Sequence, residues 1–285
     1  MKRVSTIREL HEQLIRVNLS PTGFVPTMGA LHNGHLSLVN SALRSCPIVV
    51  VSIFINPAQF NDKEDLKNYP RTLKKDLYLL ENVMRDSDIV FTPEINEIYP
   101  EVDRRVFSFG NLDKVMEGMQ RPGHFNGVAQ VVTRMFDIVN PDMAYFGLKD
   151  FQQLTIIKEL VRQTGNRVQI IGCPIIREED GLAMSSRNQL LEPGIRKKAG
   201  IIFRTISEAS ALAGSNEIRF LKEFVKTRIE TIQGFSLDYF EIVDDVDLIS
   251  VNSKNEIRKG VNYYGCIAVK AGKIRLIDNI QFSLL

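Results

Sequence analysis

Gly23-Phe24-Val25-Pro26 leads into Thr27-Met28-Gly29-Ala30-Leu31-His32-Asn33-Gly34-His35, and a helical pattern over residues 36–44 follows. A brief apolar strand, a glycine-bearing loop and a helix start, in this order, form the first unit of a parallel sheet whose crossovers are helices. The surrounding sequence repeats the unit. Residues 48–55 (IVVVSIFI) read as a strand buried on both faces, because a nearly unbroken β-branched run offers solvent no polar side. Asp88-Ile89-Val90-Phe91, Met143-Ala144-Tyr145-Phe146 and Val168-Gln169-Ile170-Ile171 are further strand signals, separated by helical stretches over 73–85, 128–139 and 152–163. In open sheets of this kind ligands sit beyond the carboxyl ends of the strands, so the loops that follow strands should carry the chemistry.

Around residues 177–187 the alternation breaks into a charged loop. Helical segments over 193–213 and 216–233 follow, then strand-like runs over 237–243, 263–269 and 273–280. The expected architecture is therefore α/β: a Rossmann-like parallel-sheet domain over 1–176 and a smaller C-terminal α+β domain over 177–285. Composition excludes other classes. The 285 residues carry 36 basic and 34 acidic side chains, a formal charge of +2, so no broad positive field argues for nucleic acid. No apolar run approaches the roughly 18 residues of a membrane span, and no apolar stretch follows the basic start Met1-Lys2-Arg3 to suggest export. Cys46, Cys173 and Cys266 are odd in number and far apart, which fits buried thiols in a reducing cytoplasm better than disulfides or zinc.

Two of the four histidines, His32 and His35, flank Asn33-Gly34 at a helix start. Their i, i+3 spacing puts both imidazoles on one face, where free backbone N–H groups and the positive end of the helix dipole favour phosphate. A second segment, Gly181-Leu182-Ala183-Met184-Ser185-Ser186-Arg187-Asn188, offers two hydroxyls and a forked guanidinium to the same kind of anion.

H-x-G-H after a first strand with a later M-S-S-R resembles the HIGH/KMSKS nucleotidyltransferase superfamily. Within it, Phe24 to His32, Phe54-Ile55-Asn56-Pro57-Ala58-Gln59-Phe60, Asn68-Tyr69-Pro70-Arg71-Thr72, Arg121-Pro122-Gly123-His124-Phe125, Tyr145 to Asp150, Gln152-Gln153-Leu154 and Arg177 to Asn188 are similar, in order, to the pantoate–β-alanine ligase family. The resemblance implies ATP-dependent condensation of pantoate with β-alanine through a pantoyl adenylate, releasing pyrophosphate and AMP. It also implies Mg²⁺ arriving with ATP, a homodimer, and no enzyme nucleophile, in keeping with the lack of a Ser-His-Asp or Cys-His pattern. An adenylyltransferase of the same superfamily acting on another small acid or cofactor precursor is the alternative.

Position by position, the resemblance makes Met28, Gly29, Ala30, Leu31, His32, Asn33, Gly34 and His35 an ATP-binding stretch, with His35 matching the family's proton donor and His32 acting beside it. Gly147, Leu148, Lys149 and Asp150 form a second ATP segment, Lys149 facing phosphate and Asp150 ribose. Ile176 meets adenine through its backbone, and Met184, Ser185, Ser186 and Arg187 close over the phosphates. Gln59 and Gln153 contact pantoate, Gln59 also β-alanine, with Asn56 assisting and Val131 and Val132 walling the geminal methyls. Asn33 and Leu148 depart from the residues frequent there in the family. Lys74-Lys75-Asp76 offers a single carboxylate, so no protein ligand to a metal is expected. His124 reads as an exposed turn residue, Gln152 as surface, and His11 as surface on the first helix.

Overall fold

Six strands run parallel: β1 (Lys2–Val4), β2 (Thr22–Thr27), β3 (Ile48–Ile53), β4 (Ile89–Phe91), β5 (Met143–Gly147) and β6 (Gln169–Cys173), in spatial order β1-β4-β3-β2-β5-β6. The structure is a computed structural model that describes residues 1–61 and 63–284, with the backbone alone at Lys63. Alternation along the strands separates two cores. Phe24, Ile48, Val50, Ile89, Phe91, Ala144 and Phe146 join one, which includes the inner faces of helices His124–Val139 and Phe151–Thr164. Val25, Val49, Val51, Val90 and Tyr145 join the other, under helices Asn33–Ser45 and Leu73–Glu81. β3 is buried on both faces, as its β-branched run requires.

After β2 the chain builds β3 and β4 on one side, then returns to add β5 and β6 on the other. The strand order thus reverses between β2 and β5, and their carboxyl ends part to leave a crevice. The Thr27–His35 and Gly147–Asp150 segments both leave the sheet there.

The C-terminal strands β7 (Phe235–Asp244), β8 (Tyr263–Ala271) and β9 (Ile274–Phe282) form an antiparallel sheet. Phe240, Ile242, Ile267, Val269 and Leu276 pack with helices Ile201–Leu212 and Ile218–Glu230 in a third core. Val243 and Cys266 belong instead to the large core of the parallel sheet, and the Tyr264 ring stacks on Phe151 at 4.3 Å. One sheet face therefore closes the C-terminal core while the other is pressed against the rest of the molecule.

Polar ties fix that contact. Arg275 grips the Glu117 carboxylate through both terminal nitrogens at 2.7 Å and donates from Nε to Asp238 at 2.6 Å, while the Tyr239 hydroxyl donates to Glu117 at 2.8 Å. The short elements β1, Lys63–Asn68 and Met116–Gln120 lie outside the sequence expectations, and the helix expected over 73–85 ends at Glu81. Because the Glu117 side chain is 11% exposed, removing its partner leaves a nearly buried charge uncompensated. Arg275→Ala should therefore lower unfolding stability by about 3 kcal/mol in urea titration; a loss below about 0.5 kcal/mol would show the tie to be incidental.

Candidate active site

The loop after β2 has two residues with left-handed backbone, Gly29 at φ 78° and Ala30 at φ 49°. The cost at Ala30 is about 1–2 kcal/mol. It is offset by Asp76, a 1% exposed carboxylate that accepts the Ala30 N–H at 3.0 Å, the Leu31 N–H at 2.8 Å and the Thr72 hydroxyl at 3.1 Å. The carboxylate considered at the sequence level for a metal is thus occupied in shaping this loop.

His32 caps the helix Asn33–Ser45, its Nδ1 accepting the Gly34 N–H at 3.1 Å. A Cβ on residue 34 would stand 2.8 Å from the His32 ring, so only glycine fits there. With Nδ1 an acceptor, neutral His32 carries its proton on Nε2. The His35 ring lies 4.1 Å away, centroid to centroid, and its Nδ1 is buried without a hydrogen-bond partner among the described residues. Burial, helped by the nearby Lys149 charge, lowers the His32 pKa to about 4. Burial, then His32 and Lys149, lowers that of His35 to about 3. Both rings are therefore neutral near pH 7 and offer N–H donors.

Asn56 is 1% exposed and committed to positioning: its Nδ2 donates to the Gly127 carbonyl at 3.0 Å and to Gln59 Oε1 at 3.3 Å, and its Oδ1 accepts from the Tyr99 hydroxyl at 3.0 Å. Gly127 permits this approach, since a Cβ there would fall 2.2 Å from the Ala58 carbonyl oxygen. The Gln59 amide is left facing Met28, with Nε2 at 2.9 Å from its sulfur. Val131 and Val132, 9% and 5% exposed, serve both the core and the cleft wall.

Two of the cleft's cations have carboxylate partners. Lys149 stands 3.7 Å from Asp150, and Arg187 bonds Asp65 at 3.1 Å. The turn carrying Lys149 is held from the C-terminal sheet, where Asn279 Nδ2 donates to the Leu148 and Lys149 carbonyls at 2.9 and 3.0 Å. Its neighbour Asp278 receives both Arg177 terminal nitrogens, at 2.6 and 3.0 Å. Met184 N–H donates to the Ile176 carbonyl at 3.0 Å, laying the Met184–Arg187 loop against the strand exit.

One cleft is lined by Met28, His32, Gly34, His35, Asn56 and Gln59, together with Val131, Val132, Gly147, Lys149, Asp150, Gln153, Ile176 and Met184 to Arg187. Five expected nucleotide residues are not on that wall: Ala30 and Leu31 are buried behind it, Gly29 and Leu148 shape the turns, and Asn33 is exposed. Two expectations are corrected. His124 is 6% exposed, not a surface residue, because its imidazole turns inward to the Gln59 carbonyl at 2.8 Å. Gln152 is 4% exposed, its amide donating to the Leu112 and Val115 carbonyls at 2.7 and 2.8 Å and accepting the Glu117 N–H at 3.0 Å. His11 is exposed, with Nε2 2.8 Å from the Ile138 carbonyl. Sequence reasoning missed the site roles of Asp76 and Asn279, for which no local pattern exists. The Arg121-Pro122-Gly123-His124 spacing carried a signal that its turn-like look concealed.

A family model described as Pantoate-beta-alanine ligase matches residues 1–281. The chain is 51% identical over 286 residues to a pantothenate synthetase of Phocaeicola vulgatus, covering 99% of this chain and 100% of that one. Among solved structures, pantothenate synthetase from Thermus thermophilus superposes with a TM-score of 0.91 at 41% identity, over 99% of this chain and 100% of that one. Pantoate-beta-alanine ligase from Francisella tularensis, complexed with β-γ ATP and β-alanine, matches at a TM-score of 0.80 and 34% identity, over 99% and 97%.

Removing the Asp76 carboxylate strands two buried N–H groups, so Asp76→Ala should cost about 2–4 kcal/mol of unfolding free energy and weaken ATP binding measured by calorimetry; unchanged affinity would dissociate the loop from nucleotide. Histidine pKa values below that of the unfolded chain stabilise the fold fully above about pH 6.5, and the gain is lost as pH falls toward 4 and 3. The imidazole C–H resonances of His32 and His35 should therefore stay fixed between pH 8 and 5.5 in NMR titration. A midpoint near 6.5 for either ring would contradict its burial.

Proposed function

The chain belongs to the pantoate–β-alanine ligase family, and on that premise we propose how its cleft carries out the reaction. The reaction is ATP-dependent condensation of pantoate with β-alanine to give pantothenate. The observation that carries the residue assignment is the convergence on one cleft of the His32–His35 pair, the Met184–Arg187 loop and the amides of Gln59 and Gln153.

In the first half-reaction a pantoate carboxylate oxygen attacks the α-phosphorus of ATP; the new O–P bond forms as the bond to pyrophosphate breaks. Neutral His32 and His35 donate N–H bonds to phosphate oxygens as charge grows there, and Lys149 and Arg187 exchange Asp150 and Asp65 for phosphate. Asp150 then faces the ribose and the Ile176 backbone the adenine. Gln59 and Gln153 orient pantoate without competing as nucleophiles, and Val131 and Val132 receive its methyls. In the second half-reaction the β-alanine amine attacks the acyl carbon, the C–N bond forms, AMP leaves, and the nitrogen loses its proton. Water must be excluded meanwhile, since it would hydrolyse the adenylate.

Mg²⁺ enters in this reading as the counterion of the ATP phosphates, where it neutralises their charge. No group of three His, Cys, Asp or Glu is placed to cage a metal among the described residues, and Asp76 is occupied by backbone. Residues 1–176 hold ATP and pantoate, and 177–285 supply the Met184–Arg187 cover. The three cysteines are free and buried, which suits a cytoplasmic protein. The family resemblance carries a homodimer with it. No helix of the described chain is long and apolar enough to cross a membrane.

Incubated with ATP and pantoate, the protein should exchange labelled pyrophosphate into ATP, and release AMP only once β-alanine is added. An adenylyltransferase for another acid would show no pantoate-dependent exchange. His35→Ala should reduce that exchange by at least about tenfold with the thermal transition retained; a wild-type rate in a folded variant would remove His35 from the phosphate site.

A further inference from the structure

Arg121 is a half-buried cation on the cleft wall. Its Nη1 faces His124 Nε2 at 3.2 Å and its Nη2 donates to the Gln59 carbonyl at 3.5 Å. Guanidinium can only donate, so His124 Nε2 is the acceptor and its Nδ1 carries the proton given to the Gln59 carbonyl at 2.8 Å. The chain Arg121–His124–Gln59 is therefore directional and fixed. Gly127, three residues on, lets the same helix approach the Asn56–Gln59 turn.

What sets Arg121 apart is its missing counterion. Lys149, Arg187, Arg177 and Arg275 each pair with a carboxylate, whereas Arg121 has none within 4.0 Å among the described residues. A half-buried guanidinium whose fork lacks a carboxylate is poised to take one from a ligand. The reaction brings two carboxylates to the cleft. That of pantoate must stay free to attack phosphorus, and an ion pair would hold back its electrons. That of β-alanine does not react and needs only to be fixed so that the amine points at the acyl carbon. The ATP phosphates have the histidine pair, Lys149 and Arg187.

We propose that Arg121 binds the carboxylate of β-alanine, with His124 as the positioning residue that aims it; this rests on the reaction assigned above. Gln59 joins the two ends of the arrangement: its backbone carbonyl secures Arg121 and His124, and its side chain faces Met28 on the pantoate side. The enzyme then selects β-alanine over amines of the same length that lack a negative charge.

The test compares β-alanine with β-alaninamide, the same amine with a neutral end, as acceptor for the adenylate, and follows pantoate-dependent pyrophosphate exchange separately. In Arg121→Gln the preference for β-alanine over the amide, as a ratio of kcat/KM values, should fall at least about tenfold, with a smaller loss in exchange. Arg121→Lys should recover part of the preference. His124→Leu should also lose selectivity, and His124→Gln, which can still accept from Arg121, should keep more of it. Being a ratio within one preparation, the preference does not depend on the folded fraction. Unchanged preference in Arg121→Gln overturns the proposal, as does a loss of exchange as large as the loss of condensation, which would place Arg121 on ATP or pantoate. Absence of exchange in the unaltered enzyme would instead overturn the reaction, and the role of Arg121 with it.

Discussion

Asp76 holds the loop on which the site is built. Two N–H bonds to a buried carboxylate, each worth about 1.5–3 kcal/mol, exceed the roughly 1–2 kcal/mol that a left-handed alanine costs, so the turn at Gly29 and Ala30 is the lower-energy state before any ligand arrives. That turn decides where the helix Asn33–Ser45 begins, and hence where His32 caps it and His35 follows. The anchor is itself placed by the helix Leu73–Glu81, whose Leu80 is buried in the core beneath β3. Sheet packing is thereby transmitted to the position of two imidazoles.

The cleft separates its charges by function. Its two histidines are neutral because burial disfavours the imidazolium and Lys149 adds to the cost. They can give hydrogen bonds to phosphate without adding two further positive charges that would repel Lys149. Lys149 and Arg187 instead pair with the carboxylates of Asp150 and Asp65. These pairs are partly exposed and worth about 0–1 kcal/mol each, so in the proposed reaction a polyphosphate with several anionic oxygens would displace them at little cost. Arg121 stands outside this exchange.

Much of this was legible in the sequence, and the limits have physical causes. The β-branched run at 48–55 could only be a strand buried on both sides, and it is one from Ile48 to Ile53. β1 escaped because three residues, two of them charged and exposed, carry no period; its partner β4 creates it through the register Lys2↔Ile89 to Val4↔Phe91. His32 and His35 were visible because local spacing alone puts them together on a helix. Asp76 was seen only as a lone acid, since its bond to Leu31 spans 45 residues. His124 looked exposed because Pro122 and Gly123 announce a turn; the turn is there, but it starts a helix that carries the imidazole inward to Gln59.

The parts of the C-terminal region that face the cleft are anchored with unequal strength. Asp278 is 4% exposed and its bidentate pair with Arg177 ties the loop at 177 to β9, while Asn279 beside it holds the carbonyls of Leu148 and Lys149. Breaking such a buried pair costs about 3–5 kcal/mol. The Met184–Arg187 segment is tied by the Arg187–Asp65 pair, whose side chains are 30% and 38% exposed. Loss of that contact costs about 1 kcal/mol or less. The antiparallel sheet therefore acts as a fixed backing for the Gly147–Asp150 turn. The short loop carrying Ser185, Ser186 and Arg187 has the weaker outer tie, so in the reaction proposed above it is the part that would yield, its guanidinium exchanging Asp65 for phosphate.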